Sequence, residues 1–224
     1  MGTKVGFKRP DGKEGSGYLA KPGRAKAPGI VVIQEWWGVQ DQIKGMCERF
    51  AAAGYEALAP DLYAGTTVPY HDVEAANREM TSLDFLGATD QLVRGAAIYL
   101  KAAGAKVGLT GFCLGGAVTI LGAARLSEFA AAVCFYGLPP EAAAKPADIR
   151  PPLQAHFANQ DDWCTPQAVD AFEAALKAAK KPAEIFRYDA GHGFMNEQRL
   201  DVHDRKAAEQ AWERTLAFFG KHLA

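Results

Sequence analysis

Short, continuous apolar runs alternate along the chain with longer stretches in which apolar residues recur at helical spacing. The runs at 30–34 and 131–136 lack the apolar–polar alternation of a half-exposed strand, so they predict parallel strands that are covered on both faces. In contrast, residues 204–222 carry apolar side chains such as Ala208, Ala211 and Leu216 at helical spacing, which predicts an amphipathic closing helix.

The whole pattern predicts an N-terminal antiparallel hairpin followed by alternating strands and helices. Residues 5–20 form the hairpin, with turn residues at Pro10-Asp11-Gly12. The later strands are predicted at 30–34, 55–59, 107–110, 131–136, 153–157 and 184–188, and the helices at 41–53, 73–103 (one or two helices, broken near Gly87), 114–126, 166–180 and 204–222. This order predicts an α/β fold with one open, mostly parallel sheet, helices on both of its faces, and a single domain over residues 1–224.

Composition and charge narrow the class of protein. The chain has 224 residues, of which 49% are hydrophobic and 23% charged, and a net charge of −1. This near-neutral balance gives no reason to expect nucleic acid or an anionic membrane as a partner. No apolar run approaches the ~20 residues that span a bilayer, and the N-terminus lacks the apolar core of a signal peptide, so a cytoplasmic protein is expected. Four widely spaced cysteines and five scattered histidines predict reduced thiols, with no metal and no cofactor.

The segment 106–116 contains the most informative motif of the chain. A β-rich run meets Gly111, Cys113 follows two residues later, and a helical pattern begins at once. Gly-x-Cys-x-Gly between a strand and a helix is typical of a nucleophile elbow, with sulfur in place of the usual serine oxygen. Glycine at 111 and 115 avoids steric collisions in so tight a turn, and the helix N-terminus favours a thiolate. The alternative is an ordinary strand–helix turn whose cysteine only packs.

Polar residues follow the predicted strands at the edge where open α/β sheets form ligand sites. Three of them, Cys113, Asp161 or Asp162, and His192, occur in the chain order of nucleophile, acid and base in α/β hydrolases. A thiol needs a base to become a thiolate, and a carboxylate holds that imidazole in the correct tautomer. The sequence therefore predicts a catalytic triad, in which the acid is either of the two aspartates.

Other candidates have simpler interpretations. His156 lies inside an apolar strand and is expected to be a hydrogen-bonded core residue, Asp61 is expected to hold a turn, and Cys164 is expected to pack. Aromatic residues near the strand ends could line a pocket or belong to the core; they are Trp36, Trp37, Tyr63, Tyr136 and Trp163.

Six short segments together resemble the dienelactone hydrolase (carboxymethylenebutenolidase) family of the α/β-hydrolase superfamily, over nearly the whole chain. They are Gln34-Glu35-x-x-Gly38-Val39, Pro60-Asp61-Leu62-Tyr63, Gly111-Phe112-Cys113-Leu114-Gly115-Gly116, Phe135-Tyr136-Gly137, Gln160-Asp161 and Ala190-Gly191-His192-Gly193-Phe194. The resemblance implies an α/β-hydrolase fold with Cys113 as nucleophile, His192 as base and Asp161 as the orienting acid. Asp162 stays the alternative acid, because the segment after it is one residue longer than the family pattern.

The resemblance implies further roles around this triad. Glu35 corresponds to an additional carboxylate that contacts the thiol at rest and accepts its proton when substrate binds. The backbone N–H groups of Trp36 and Leu114 correspond to an oxyanion hole, and a helix N-terminus suits that role.

Substrate binding is where the sequence departs from the family. Asn196 stands where the family has an arginine that binds the substrate carboxylate, and Arg78 is a candidate for a second such arginine. Dienelactone is therefore not established as the substrate. Tyr63, Tyr136 and Trp163 are the aromatic candidates for substrate contact.

The function expected from these observations is cofactor-free hydrolysis of a small lactone or ester through an acyl-enzyme on Cys113. The partner is a small-molecule substrate, and the protein is expected to be a monomer or a small homo-oligomer. Two alternatives remain open: a thioesterase or broad carboxylesterase on the same scaffold, and a non-catalytic redox-sensing or binding module.

Overall fold

The computed structural model describes residues 1–24, 26–102 and 105–224, which form one eight-stranded sheet between two layers of helices. The strands are β1 Thr3–Lys8, β2 Glu14–Ala20, β3 Gly29–Ile33, β4 Glu56–Pro60, β5 Val107–Phe112, β6 Ala131–Phe135, β7 Leu153–Gln160 and β8 Ala183–Gly191. Their order across the sheet is β1-β2-β4-β3-β5-β6-β7-β8. β2 pairs antiparallel with β1 and β4, and all the other pairs are parallel. The predicted α/β architecture and N-terminal hairpin are confirmed.

The helices occupy the connections between these strands. They are α1 Asp41–Ala52, α2 Val73–Ser82, α3 Phe85–Gly87, α4 Arg94–Lys101, α5 Leu114–Arg125, α6 Pro166–Ala178 and α7 Arg205–Leu223, with a π-helical segment Ala88–Val93 between α3 and α4 and a 3₁₀ turn at Pro146–Asp148. No helix in the ranges that the structure covers is long and apolar enough to cross a membrane.

The break predicted near Gly87 in the 73–103 region lies a few residues earlier. It is at Leu83 and Asp84, and Gly87 is inside the following helix. Asp84 starts that helix, because its Oδ1 accepts a hydrogen bond from the Gly87 N–H at 2.9 Å. The predicted end of the region at 103 lies outside the described residues.

The central strands carry apolar side chains on both faces of the sheet. β3, β5 and β6 are buried along their whole length, as predicted for parallel strands covered on both sides. α1 and α7 pack on one face, and α4 and α5 pack on the other, so each face has its own core cluster. This double cover holds the carboxyl ends of the strands in a fixed arrangement.

The last two strands are longer than the sequence predicts. β7 continues to Gln160 and β8 to Gly191, because their ladder resumes after a register shift between Ala158 and Gln160. The final pair joins Gln160 to Gly191. The next residue on each strand, Asp161 and His192, therefore leaves the sheet at the same place.

Candidate active site

The turn between β5 and α5 holds Cys113 in a strained backbone conformation. Cys113 has φ 56° and ψ −116°, which non-glycine residues rarely adopt. A Cβ at Gly115 would lie 2.5 Å from the carbonyl oxygens of Ile33 and Gln34, and a Cβ at Gly111 would overlap the Gly115 carbonyl. Both glycines are therefore required by the close approach of backbone segments. The turn presents the Cys113 thiol at the carboxyl end of the sheet.

His192 is oriented by Asp161 across the ends of β7 and β8. The His192 Nδ1 donates to Asp161 Oδ2 at 2.8 Å, and the other carboxylate oxygen accepts the N–H groups of Trp163 at 2.7 Å and Cys164 at 2.9 Å. Burial alone would raise the pKa of Asp161, but these hydrogen bonds outweigh it, and the pKa is lowered. Asp162 is not the residue that binds His192; it lines the adjoining cavity.

The second ring nitrogen of His192 faces the nucleophile. Nε2 is buried and has no hydrogen-bond partner among the described residues. Burial alone would lower the pKa of His192, but the hydrogen bond to Asp161 and the neighbouring Cys113 outweigh it and raise the pKa to about 10. Cys113 is therefore a close neighbour of the imidazole, although no hydrogen bond of good geometry joins them among the described residues. Hydrogen bonds in a catalytic site are often long or poorly aligned before substrate binds.

Two backbone N–H groups near Cys113 are free to bind an anion. Within the described ranges, neither the Trp36 N–H nor the Leu114 N–H donates to a protein acceptor. Leu114 is the first residue of α5, so its N–H also lies at the positive end of a helix. These groups can stabilise negative charge on a carbonyl oxygen attacked by the thiol.

The structure pairs Glu35 with Asn196 and Tyr136. Its Oε2 accepts from Asn196 Nδ2 at 2.7 Å and its Oε1 from the Tyr136 hydroxyl at 3.3 Å. No hydrogen bond joins Glu35 to Cys113 in the part of the chain that the structure covers. The resting contact with the thiol implied by the resemblance is therefore not found. Burial raises the pKa of Glu35, although the hydrogen bonds from Asn196 and Tyr136 act in the opposite direction.

Asn196 also differs from its predicted role. Its side chain is buried, holds Glu35 and does not line the cavity. It therefore cannot replace an arginine that contacts substrate. Tyr136 connects this buried pair to the base, because its hydroxyl binds Glu35 while its ring packs edge-on against His192 at 5.1 Å between ring centres.

A cavity of about 750 Å³ opens beside Cys113 and His192. Of the predicted aromatic residues, Trp36, Tyr136 and Trp163 line it, and Trp163 is 61% exposed. Its lining is largely apolar, as is usual for small-molecule sites.

Other residues predicted near the site do not line the cavity. Tyr63 is buried beside the site: its hydroxyl has no hydrogen-bond partner among the described residues, and burial, together with the nearby Cys113, raises its pKa. Trp37 packs against Tyr70 in a separate cluster. Arg78 is exposed on α2 and does not line the cavity. The cation that does line it is Arg199, which sequence reasoning missed. The only signal for Arg199 was its place shortly after the histidine loop.

The remaining sequence predictions concern residues outside the site. His156 is a buried, hydrogen-bonded core residue, as predicted, bound to Tyr188 and Gln154. Cys164 is buried, and Asp61 accepts from the backbone N–H two residues later, as expected of a turn residue. Among the described residues, no group of three or more potential metal ligands forms a metal site.

Known proteins match the chain along its whole length. A family model described as "Dienelactone hydrolase family" matches residues 16–223. "Protein usf" of Aquifex pyrophilus is 34% identical over 236 residues, and a protein of Aquifex aeolicus provisionally named carboxymethylenebutenolidase is 32% identical over 235 residues. Both matches cover 100% of each chain.

Solved structures agree with the sequence relatives. A crystal structure from Klebsiella pneumoniae, provisionally named a dienelactone hydrolase, has 28% identity and a TM-score of 0.86, with 99% of each chain covered. An esterase of Pyrococcus furiosus, at 16% identity and a TM-score of 0.71, shares the fold over 100% of this chain and 94% of its own. From the family match, the end-to-end relatives and the shared fold, we conclude that the chain belongs to the dienelactone hydrolase family and is a carboxylic ester hydrolase with an α/β-hydrolase fold.

Proposed function

We propose that the protein hydrolyses a lactone or ester through a thioester intermediate on Cys113, with His192 as base and Asp161 as the orienting acid. The observation that supports this most strongly is the state of His192. Its Nδ1 is bound to a buried carboxylate, while its Nε2 has no hydrogen-bond partner among the described residues, and Cys113, on a strained elbow, is its neighbour. An imidazole held in this way can accept the thiol proton, and the carboxylate stabilises the imidazolium that results.

In the first half-reaction, the Cys113 proton moves to His192 Nε2 and the sulfur attacks the carbonyl carbon of the substrate. The N–H groups of Trp36 and Leu114 bind the oxyanion that forms. When the tetrahedral intermediate collapses, the carbon–oxygen bond to the leaving group breaks. His192 gives its proton to the leaving oxygen, and the acyl group remains on sulfur as a thioester.

In the second half-reaction, His192 removes a proton from a water molecule that attacks the thioester carbonyl. The same two N–H groups stabilise the second oxyanion. The carbon–sulfur bond then breaks, the acid is released, and the sulfur recovers a proton from His192. In a lactone, the carbon skeleton keeps the leaving oxygen attached to the acyl group, so this step releases a single hydroxy acid.

Hydrolysis of a panel of 4-nitrophenyl esters, dienelactones and acyl thioesters tests the proposal. We expect Cys113→Ala to lose hydrolysis, and the matched variant Cys47→Ala, at a buried cysteine in α1, to keep it. Mass spectrometry after rapid acid quenching should find the acyl group on the peptide that contains Cys113. Near-normal hydrolysis by Cys113→Ala would exclude the mechanism. A silent panel, combined with ready oxidation of Cys113, would favour the redox-sensing alternative.

A further inference from the structure

One wall of the active-site cavity is an apolar face of α5 that leads away from Cys113, and the part of the cavity along it is called the limb below. Leu114, Ala117 and Leu121 line this limb, and their spacing of three and four residues places them on one face of the helix. With a rise of 1.5 Å per residue, Leu121 lies roughly 10 Å along α5 from Leu114. The limb is therefore much longer than an acetyl group.

The other walls of the limb are also apolar. Met80 of α2, Phe85 and Leu86 of α3, and Leu138 and Ala143 of the loop after β6 supply side chains without charge. The polar and charged lining residues come from the end of β7 and from the loops that follow β7 and β8, where Trp163 and Val202 also line the cavity; they are Gln160, Asp162, His192 and Arg199. The polar part of the lining thus comes from elements other than those of the limb.

Ala143 lies where the limb approaches a second cavity. A second, separate groove of about 700 Å³ lies along the next part of α5, where it is lined by Ala124 and Arg125 among others. Ala143 lines both spaces. Because the groove follows residues of α5 beyond Leu121, Ala143 lies between the two spaces, and we expect it to limit the limb at the end distant from Cys113.

We propose that this limb binds the acyl chain of the substrate, and that the preferred esters carry an extended apolar acyl group. A length of roughly 10 Å is sufficient for about eight carbons in line with α5. The inference rests on the proposed function, because the acyl carbon must lie at Cys113. The leaving oxygen must lie within reach of His192, which protonates it. The alcohol part therefore lies against the polar part of the lining, and the acyl part occupies the limb.

The acyl-chain dependence of hydrolysis tests this assignment directly. We would measure kcat/KM for 4-nitrophenyl acetate, butyrate, hexanoate, octanoate and dodecanoate at concentrations below micelle formation. Burial of one methylene contributes up to about fourfold in binding, so even partial burial should raise kcat/KM by at least about tenfold from acetate to octanoate. Beyond octanoate the gain should stop or reverse, because Ala143 is expected to limit the limb.

Ala143→Trp should shorten the limb. We expect the octanoate-to-acetate ratio of kcat/KM to fall by about tenfold or more in this variant, since several methylenes lose their site. Ala142→Trp is the matched control, because Ala142 is the exposed neighbour in the same loop and does not line the cavity. It should keep the ratio of the unmodified protein.

The outcomes separate this inference from the proposed function. A kcat/KM that stays constant or falls from acetate to octanoate in the unmodified protein would overturn the acyl-chain assignment. This outcome can be read even if Ala143→Trp fails to fold. The assignment would also be overturned if kcat/KM rose with the length of the alcohol chain in a series of alkyl acetates, and Ala143→Trp removed that rise. Hydrolysis that persists in Cys113→Ala would overturn the proposed function, whatever the chain-length dependence.

Discussion

At the scale of single residues, two neighbouring aspartates differ through their hydrogen-bond partners. Asp161 accepts three hydrogen bonds, from His192 and from the N–H groups of Trp163 and Cys164, so both of its oxygens are held in place. Asp162, one position later, faces the cavity. A carboxylate fixed in this way orients the imidazole, with Nδ1 held by Asp161.

Exchange of the two aspartates for asparagine tests this difference. Asp161→Asn should lower kcat for 4-nitrophenyl acetate by up to ~10⁴-fold, because the wrong imidazole tautomer becomes favoured. Asp162→Asn should change kcat much less and is the matched control. The reverse order of effects would show that Asp162 orients the base in solution.

A second prediction at this scale concerns Glu35. Because its oxygens bind Asn196 and Tyr136 instead of the thiol, Glu35→Gln should label with iodoacetamide at Cys113, near pH 7, at a rate similar to that of the unmodified protein. Glu35→Leu leaves the partner amide and hydroxyl buried and unpaired, at about 1–3 kcal/mol each in the free energy of unfolding. Urea denaturation measures this loss. Markedly faster labelling of Glu35→Gln would instead mean that the carboxylate acts on the thiol.

At the scale of elements, the strand β5, the turn and the helix α5 form one unit that depends on close backbone packing. Gly115, in the first turn of α5, lies against the carbonyl oxygens at the end of β3. Gly45, in the middle of α1, has open space around it: an added Cβ would meet only the Glu197 side chain, at 3.7 Å. The two helices therefore use glycine for different reasons, and only the first is constrained by contact.

Alanine at these two glycines should have opposite effects on the free energy of unfolding. Gly45→Ala should raise it by about 0.5–1 kcal/mol, since alanine favours the helix and meets no obstacle. Gly115→Ala should lower it by about 1–3 kcal/mol or more, because backbone segments must separate. It should also reduce hydrolysis by moving Cys113. Equal effects in urea denaturation would contradict the packing at the elbow.

At the scale of the whole molecule, His156 joins the sheet to the closing helix. It lies buried in β7, bound to Tyr188 of β8 and to Gln154, and Thr215 of α7 lies 3.3 Å from its Nε2. Burial, assisted by the charge of Arg214, lowers the pKa of His156 to about 3. The folded protein thus holds this histidine neutral in mildly acidic solution, where the unfolded chain protonates it.

The free energy of unfolding should therefore decrease as the pH is lowered, because of His156. The folded pKa of about 3 lies below the ordinary 6.5, so the contribution is complete above pH 6.5 and is lost as pH falls towards 3. Within this window the unfolded state binds one more proton, which lowers the free energy of unfolding by about 1.4 kcal/mol per pH unit. Urea denaturation from pH 7 to pH 4 should show a flatter profile for His156→Gln. Parallel profiles would exclude His156 as the cause.

The sequence by itself determined the features that depend on neighbours along the chain. Apolar runs predicted the buried strands, and glycine at 111 and 115 predicted the elbow, since local sterics require it. His156 was predicted as a core residue from the apolar strand around it, and the structure confirms this placement. Such local patterns were sufficient for the α/β architecture, and they placed the candidate nucleophile, acid and base in order along the chain.

The tertiary structure decided what depends on register and long-range packing. The ladder pairs Gln160 with Gly191, and this register, invisible in either strand alone, brings Asp161 to His192. Glu35 and Asn196 are 161 positions apart in sequence, so no local pattern could show that one binds the other. The side chains within a segment determine whether it forms a helix or a strand. The packing of these elements against one another determines which distant side chains come into contact.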